Sequence, residues 1–226
     1  MSLSKGRSGE GEDVNLGSGP VDTQETQEER GIPEEDMQRA NLYGLLARLL
    51  AEPMSDETLE VVRSLESEND DSELGKALGA FGALATRTAR NAAQEEFSAL
   101  FYGDGSGGEL LPYASHYLTG FLLEKPLANL RGDMMELGIQ TSGISKEPED
   151  HIAFLCEIMH GLITGTFGAP VDLPTQKAFF AKHIAPWVGL FFEELESAES
   201  AALYMPVGTI GKLFMAIEAE AFELAA

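Results

Sequence analysis

From Pro33 onward the apolar positions recur at helical spacing. Leu42, Leu45, Leu46, Leu49 and Leu50 fall at i, i+3, i+4, i+7 and i+8, one continuous face of a first helix. Pro33 sits in its opening turn, Glu34, Glu35 and Asp36 lie beside the positive end of its dipole, and Pro53 ends it. Ser55 is placed to cap a second helix carrying Leu59, Val62 and Leu65, and Ser72 a third with Leu74, Leu78, Phe81 and Ala85. A fourth stripe, Ala93, Phe97, Leu100 and Phe101, runs into a glycine cluster at 103–108.

Beyond that cluster, Pro126 opens a helix with Leu127, Leu130, Met134 and Leu137 inward and Gly138 as its stop. The next is expected to start around Pro148, with Ile152, Leu155, Cys156, Met159 and Ile163 on one side. Pro174 begins another bearing Phe179, Phe180, His183 and Ile184; Pro186 interrupts, and Trp187, Leu190, Phe191 and Leu195 form the following stripe. The last helix, after Pro206, carries Ile210, Leu213, Phe214, Ile217 and Ala221. Period-two alternation is scarce and no fixed repeat recurs. The pattern predicts an all-α fold: one globular domain of about nine to eleven helices over residues 34–226.

Residues 1–33 break this pattern. They are rich in Gly, Ser, Glu, Gln and Thr and carry too little apolar surface to offset the entropy of ordering, so they read as a disordered acidic tail. That stretch holds 3 Lys+Arg and 7 Asp+Glu, and the remaining body 12 and 31, a net −19 of the chain's −23. The acidity therefore belongs to the predicted domain. It argues against nucleic acid, which needs a basic stripe, and against docking on an anionic membrane. Lys5 and Arg7 are followed by no apolar stretch, and runs such as Ile152 to Cys156 are far too short to span a bilayer, so neither a secretory signal nor a membrane anchor is expected. A single cysteine and no Cys-x-x-Cys pair suit a reducing cytoplasm.

Candidate chemistry is sparse. Gly103 to Gly108 matches G-x-G-x-x-G, but a helix precedes it and Leu-Leu-Pro follows, so a flexible connector is the better reading than a nucleotide loop. Glu157-x-x-His160 has the spacing of a di-iron helix without a second copy to complete the centre, which leaves a solvated helix edge. Cys156 and His160 stand at i and i+4 in apolar surroundings that would raise the thiol pKa, so Cys156 reads as buried and structural. Ser115 beside His116 lacks a nucleophile elbow. The run Glu147-Pro148-Glu149-Asp150-His151 differs in kind. A helix start accounts for its proline and acids, but not for His151, since a helix N-terminus disfavours protonated imidazole.

At this run the sequence resembles the cytoplasmic maturation chaperones of exported molybdoenzymes, the TorD/DmsD/NarJ type, whose mark is an E-P-x-D-H or E-x-P-D-H box. Two further features match in order. Phe97, Leu100 and Phe101 precede the glycine cluster, after which come Leu111-Pro112-Tyr113-Ala114-Ser115 and Tyr117. Later stand His183, Pro186 and Trp187, followed by Phe191 and Phe192. The resemblance spans about residues 36–222. Several relatives have Pro-Trp-Gly-Ser where this chain has Pro112-Tyr113-Ala114-Ser115, and the tail is no family feature. The run from Glu109 through Leu122 looks most like members associated with formate dehydrogenases.

The resemblance implies a non-enzymatic protein with no catalytic residue, metal or cofactor of its own. It would bind the twin-arginine leader and apo catalytic subunit of a molybdopterin oxidoreductase, as a monomer or a dimer, and release it for export once its cofactor is inserted. Leu111, Pro112, Tyr113, Ser115 and Tyr117 are then expected along one wall of an apolar groove, with Glu147, Pro148, Asp150 and His151 as the facing polar lip. Asp150 would receive a leader arginine, and His151 would hold the loop or a leader carbonyl. Three other readings stay open: a NarJ-like chaperone for a molybdoenzyme subunit that is not exported, an all-α small-ligand-binding protein, and a cysteine or metal hydrolase using Cys156, His160 or Glu157.

Overall fold

The computed structural model describes residues 31–65, 71–103, 107–140 and 147–224, and the tail expected before Pro33 lies outside them as far as residue 30. Ile32–Ala226 is one compact unit. Its described residues form ten α-helices: α1 Glu34–Ala51, α2 Asp56–Ser64, α3 Glu73–Thr86, α4 Arg90–Phe97, α5 Ala114–Thr119, α6 Lys125–Glu136, α7 Ile152–Thr164, α8 Leu173–His183, α9 Val188–Ser197 and α10 Met205–Leu224. The only β pairing among the described residues is one isolated bridge. None of the described helices is long and apolar enough to cross a membrane.

The local signals act as their chemistry requires. Ser55 accepts the Thr58 amide and Ser72 the Gly75 amide, so each hydroxyl satisfies an N-terminal donor its helix leaves free. Gly138, at φ +71°, stops α6 just past its end. After Phe97 the chain widens into a π-turn, Ser98–Tyr102, that brings Phe97 against Phe101, Tyr102 and Tyr204. The glycine cluster is closer-packed than a flexible connector where it is described. A Cβ on Gly108 would stand 2.4 Å from the Phe101 carbonyl carbon, and the following amide of Glu109 is bonded to Ala99.

Helix α1 packs along α7, α10 lies against α9 and α3, and α2 lies against α3. Helices α1 and α7 are tied where the His160 ring of α7 donates to the Ala40 carbonyl of α1. Two expected stripes are displaced. Leu190 is 52% exposed, and Phe192 takes the inward place beside Phe191. In α10 the inward line is Val207, Ile210, Phe214, Glu218 and Phe222, while Ile217 and Ala221 face outward. Glu218, at 1% exposure, occupies a core position because Arg39 grips both its oxygens, at 2.6 and 2.8 Å, and Tyr43 donates to it. A buried carboxylate so paired and hydrogen-bonded is tolerated where an unpaired one is not, and hydrophobicity alone does not reveal it.

Candidate functional site

The Glu147–His151 box is not the first turn of a helix. Pro148, Glu149 and Asp150 form a turn ahead of α7, and His151 is the N-cap, its Nδ1 accepting the Ala153 amide at 3.1 Å. This accounts for the histidine. Accepting through Nδ1 requires a neutral ring, and burial, against the pull of Glu147 and Asp150, lowers its pKa from 6.5 to about 4. The proton then sits on Nε2.

The box is clamped to the Leu111–Ser115 segment by the isolated bridge, an antiparallel pairing of Tyr113 with His151. Ala114 N–H donates to the Asp150 carbonyl at 3.0 Å and Ile152 N–H to that of Pro112 at 2.9 Å. Side chains repeat the clamp. The Tyr113 ring meets the edge of His151 and its hydroxyl donates to Glu147. Asp150 Oδ2 accepts both the backbone amide and the hydroxyl of Ser115, at the start of α5. The third motif joins through Tyr117, stacked on Trp187 at 5.2 Å, while Trp187 donates to the His183 carbonyl and His183 Nε2 meets Asp133 at 2.6 Å.

Beside the box, α1 and α7 hold open a groove of about 600 Å³. Gly44, Ala47, Arg48 and Ala51 of α1 form one wall and Ala153, Phe154, Glu157, Ile158 and His160 of α7 the other; Glu147, Pro148, His151, Ile139 and Gln140 close one end and Phe167 the other. The Phe167 ring seats on Gly161, where a Cβ would stand only 2.2 Å from it. The floor is apolar. On the rim Arg48 is neutralised by Glu57 at 2.8 Å, whereas exposed Glu157 has no ion-pair partner among the described residues.

The structure thus redistributes the expected site. Glu147, Pro148 and His151 line the groove. Asp150 does not: it is buried behind the lip, with Oδ2 on Ser115 and Oδ1 without a partner among the described residues. Pro112 and Ser115 are buried, and Leu111, Tyr113 and Tyr117 half-buried; none of the five lines the groove, because the bridge places their segment beside the box and α1 supplies the opposite wall. Ser115 Oγ bonds Asp150 instead of His116, and Cys156 is fully buried, its pKa raised by burial. Sequence reasoning missed the α1 wall and Phe167. Two signals pointed there: small residues at Gly44, Ala47 and Ala51 off the leucine face of α1, and Phe154 and Ile158 on α7 outside its inward stripe, apolar surface with no assigned partner.

Fold and groove define a class first: an all-helical body in which three sequence motifs are joined beside an apolar, acid-rimmed groove. Comparison with known proteins supplies the family. Residues 67–193 match the family model described as nitrate reductase delta subunit. A protein named Chaperone protein TorD from Vibrio parahaemolyticus is 26% identical over 191 residues, covering 76% of this chain and 88% of the relative. One of the same name from Vibrio vulnificus is 31% identical over 160 residues, covering 64% and 73%. The crystal structure of a putative redox enzyme maturation protein from Archaeoglobus fulgidus shares the fold at a TM-score of 0.53 and 18% identity, over 79% of this chain and 94% of that one. The chain belongs to the nitrate reductase delta subunit family and is a maturation chaperone of the TorD type.

Proposed function

We propose that this chaperone acts in the cytoplasm, without enzymatic activity, by binding the twin-arginine leader of a molybdopterin oxidoreductase's catalytic subunit in the α1–α7 groove. It holds the apo subunit until its cofactor is inserted and then releases it for export. One observation carries this reading: an apolar floor of Ala47, Ile139, Phe154 and Ile158 bordered by Glu157 and Glu147. A leader that joins basic residues to a moderately apolar helix former matches that surface in the helix-in-groove manner. Glu157, exposed and unpaired among the described residues, takes over the arginine-binding role expected of Asp150, and Nε2–H of His151 suits a leader carbonyl. The net charge of −23 favours encounter with a basic segment. Sequence likeness from Glu109 through Leu122 makes a formate dehydrogenase subunit the client of choice.

The test is calorimetric titration with a synthetic formate dehydrogenase leader, its Arg-Arg→Gln-Gln form, and the chain's Glu157→Gln variant. Saturable binding is expected, weakened about tenfold by either change and slowed in association as salt rises. Absence of binding by the native leader, or affinities indifferent to salt and to the arginines, defeats the reading. One alternative is a nitrate-reductase-type subunit that is not exported and whose N-terminus lacks the arginine pair; the nitrate reductase named in the family's description speaks for it. Tighter binding of such a peptide than of the twin-arginine leader decides for it.

A further inference from the structure

The box borders more than the groove. Glu149 points the other way, into a shallow depression of about 340 Å³ lined by Arg131, Met134, Met135, Gly138, Ile139, Gln140 and Glu149. Ile139 and Gln140 line both concavities, so the depression continues the groove past its box end. Arg131, Met135 and Gly138 lie at i, i+4 and i+7, one face of the last turns of α6 and its stop. Met135 is 78% exposed, a flexible thioether held in water where a surface helix more often carries a polar side chain.

Charge separates the two concavities. Glu157 offers the groove an unpaired carboxylate among the described residues, whereas Glu149, the depression's one acid, is engaged by Arg131 through Nε at 2.9 Å and Nη2 at 2.7 Å. The depression therefore holds no free charge for a cation among the described residues, and it offers the exposed apolar side chain of Met135.

We propose that the α6 depression is a second subsite of the peptide site, receiving the later part of the apolar stretch that follows the arginine pair, once the arginines and the first apolar residues lie in the groove. The inference rests on the leader reading and adds a direction to it: the client runs from Glu157 over Ile139 onto Met135. An adaptable methionine surface accepts apolar stretches of differing sequence, so this subsite reads apolarity and length instead of a fixed motif.

Two leader peptides test it, one complete and one ending just after the arginine pair, each titrated into the full chain and into Met135→Glu. In parallel the protein is labelled at its methionine methyl groups with ¹³C, and the Met135 resonance is identified by its loss in Met135→Leu. The expected result is an affinity for the complete peptide about tenfold lower in Met135→Glu, with the short peptide's affinity changed less than about twofold. The Met135 methyl resonance moves with the complete peptide and stays in place with the short one. A complete peptide that binds wild type and Met135→Glu alike, or an equal loss for both peptides, overturns the subsite and leaves the groove standing. Failure of wild type to bind either peptide removes the leader reading, and the subsite with it.

Discussion

Ser115 gives both its backbone N–H, at 2.8 Å, and its hydroxyl to a single carboxylate oxygen of Asp150, 35 residues further along the chain. The pair ties the box to the first turn of α5, where the carboxylate also meets the positive end of the helix. Asp150→Ala is expected to cost about 2 kcal/mol, since it strands two buried donors, and to lower Tm by roughly 4 to 8 °C. Asp150→Asn keeps an accepting oxygen and is expected to lose less. Because Asp150 stands behind the groove, leader affinity of Asp150→Asn should remain within about twofold of wild type. Calorimetry reads both quantities; a tenfold affinity loss without a Tm change would return Asp150 to the arginine-binding role.

The Arg39–Glu218 pair, closed by Tyr43 and by the Arg39 guanidinium over the Phe222 ring at 5.2 Å, fastens α1 to α10. Arg39→Met leaves a buried carboxylate with only the tyrosine, and a loss of about 3 to 5 kcal/mol is expected. Tm should fall on the order of 10 °C. Removing both charges in Arg39→Met with Glu218→Leu is expected to recover most of that loss, because the penalty comes from the stranded charge. Thermal unfolding of the single and double variants checks this, and a double variant no more stable than the single one would show that the pair itself holds the helices.

Helix existence was legible because core faces, caps and stops here are local: Ser55, Ser72 and Gly138 each do what their chemistry dictates within a turn. The inward line of α10 was not, because Glu218 belongs in the core only once Arg39, 179 residues away, is known to meet it. The site divides in the same way. The box, the Leu111–Ser115 segment and Trp187 could be singled out from sequence, but their joining through a backbone bridge and a ring stack depends on tertiary placement. That bridge is why five expected wall residues stand beside the lip. The α1 wall of the groove, Gly44, Ala47 and Ala51, is marked in the sequence only by smallness, which says that something approaches closely and not what.

His151 makes stability depend on pH in a defined direction. Its folded pKa, lowered to about 4 by burial, lies below the value of 6.5 for an exposed imidazole, so the unfolded chain binds the extra proton between those values. Stability is fully present above about pH 6.5 and is lost as pH falls toward about 4, a contribution on the order of 3 kcal/mol. His183, also lowered by burial though Asp133 opposes it, adds in the same sense. The measurement is therefore a difference: His151→Asn supplies an uncharged side-chain oxygen to cap α7, and its unfolding free energy should fall less steeply from pH 7 to pH 5 than that of wild type. Parallel slopes would mean that His151 takes up its proton as readily in the folded protein as in the unfolded chain, and that burial does not hold the ring neutral below pH 6.5.

Gly161 and Phe167 separate groove shape from stability. A methyl at Gly161 meets the Phe167 ring, but that ring is 40% exposed and reaches α7 from a surface loop, so it can swing away instead of straining the core. Alanine also gains about 1 kcal/mol of helix propensity over glycine inside α7. Gly161→Ala is accordingly expected to leave Tm within about 3 °C of wild type, while displacing the ring that closes the far end of the groove. Leader affinity should drop about fivefold, on the ground that an anchor wall is lost without any loss of charge, and its salt dependence should be unchanged. Phe167→Ala should reproduce that loss, and adding it to Gly161→Ala should cost nothing more, because both changes empty the same place. A large fall in Tm with unaltered affinity would make Phe167 a structural plug and move the end of the leader site inward, to His160.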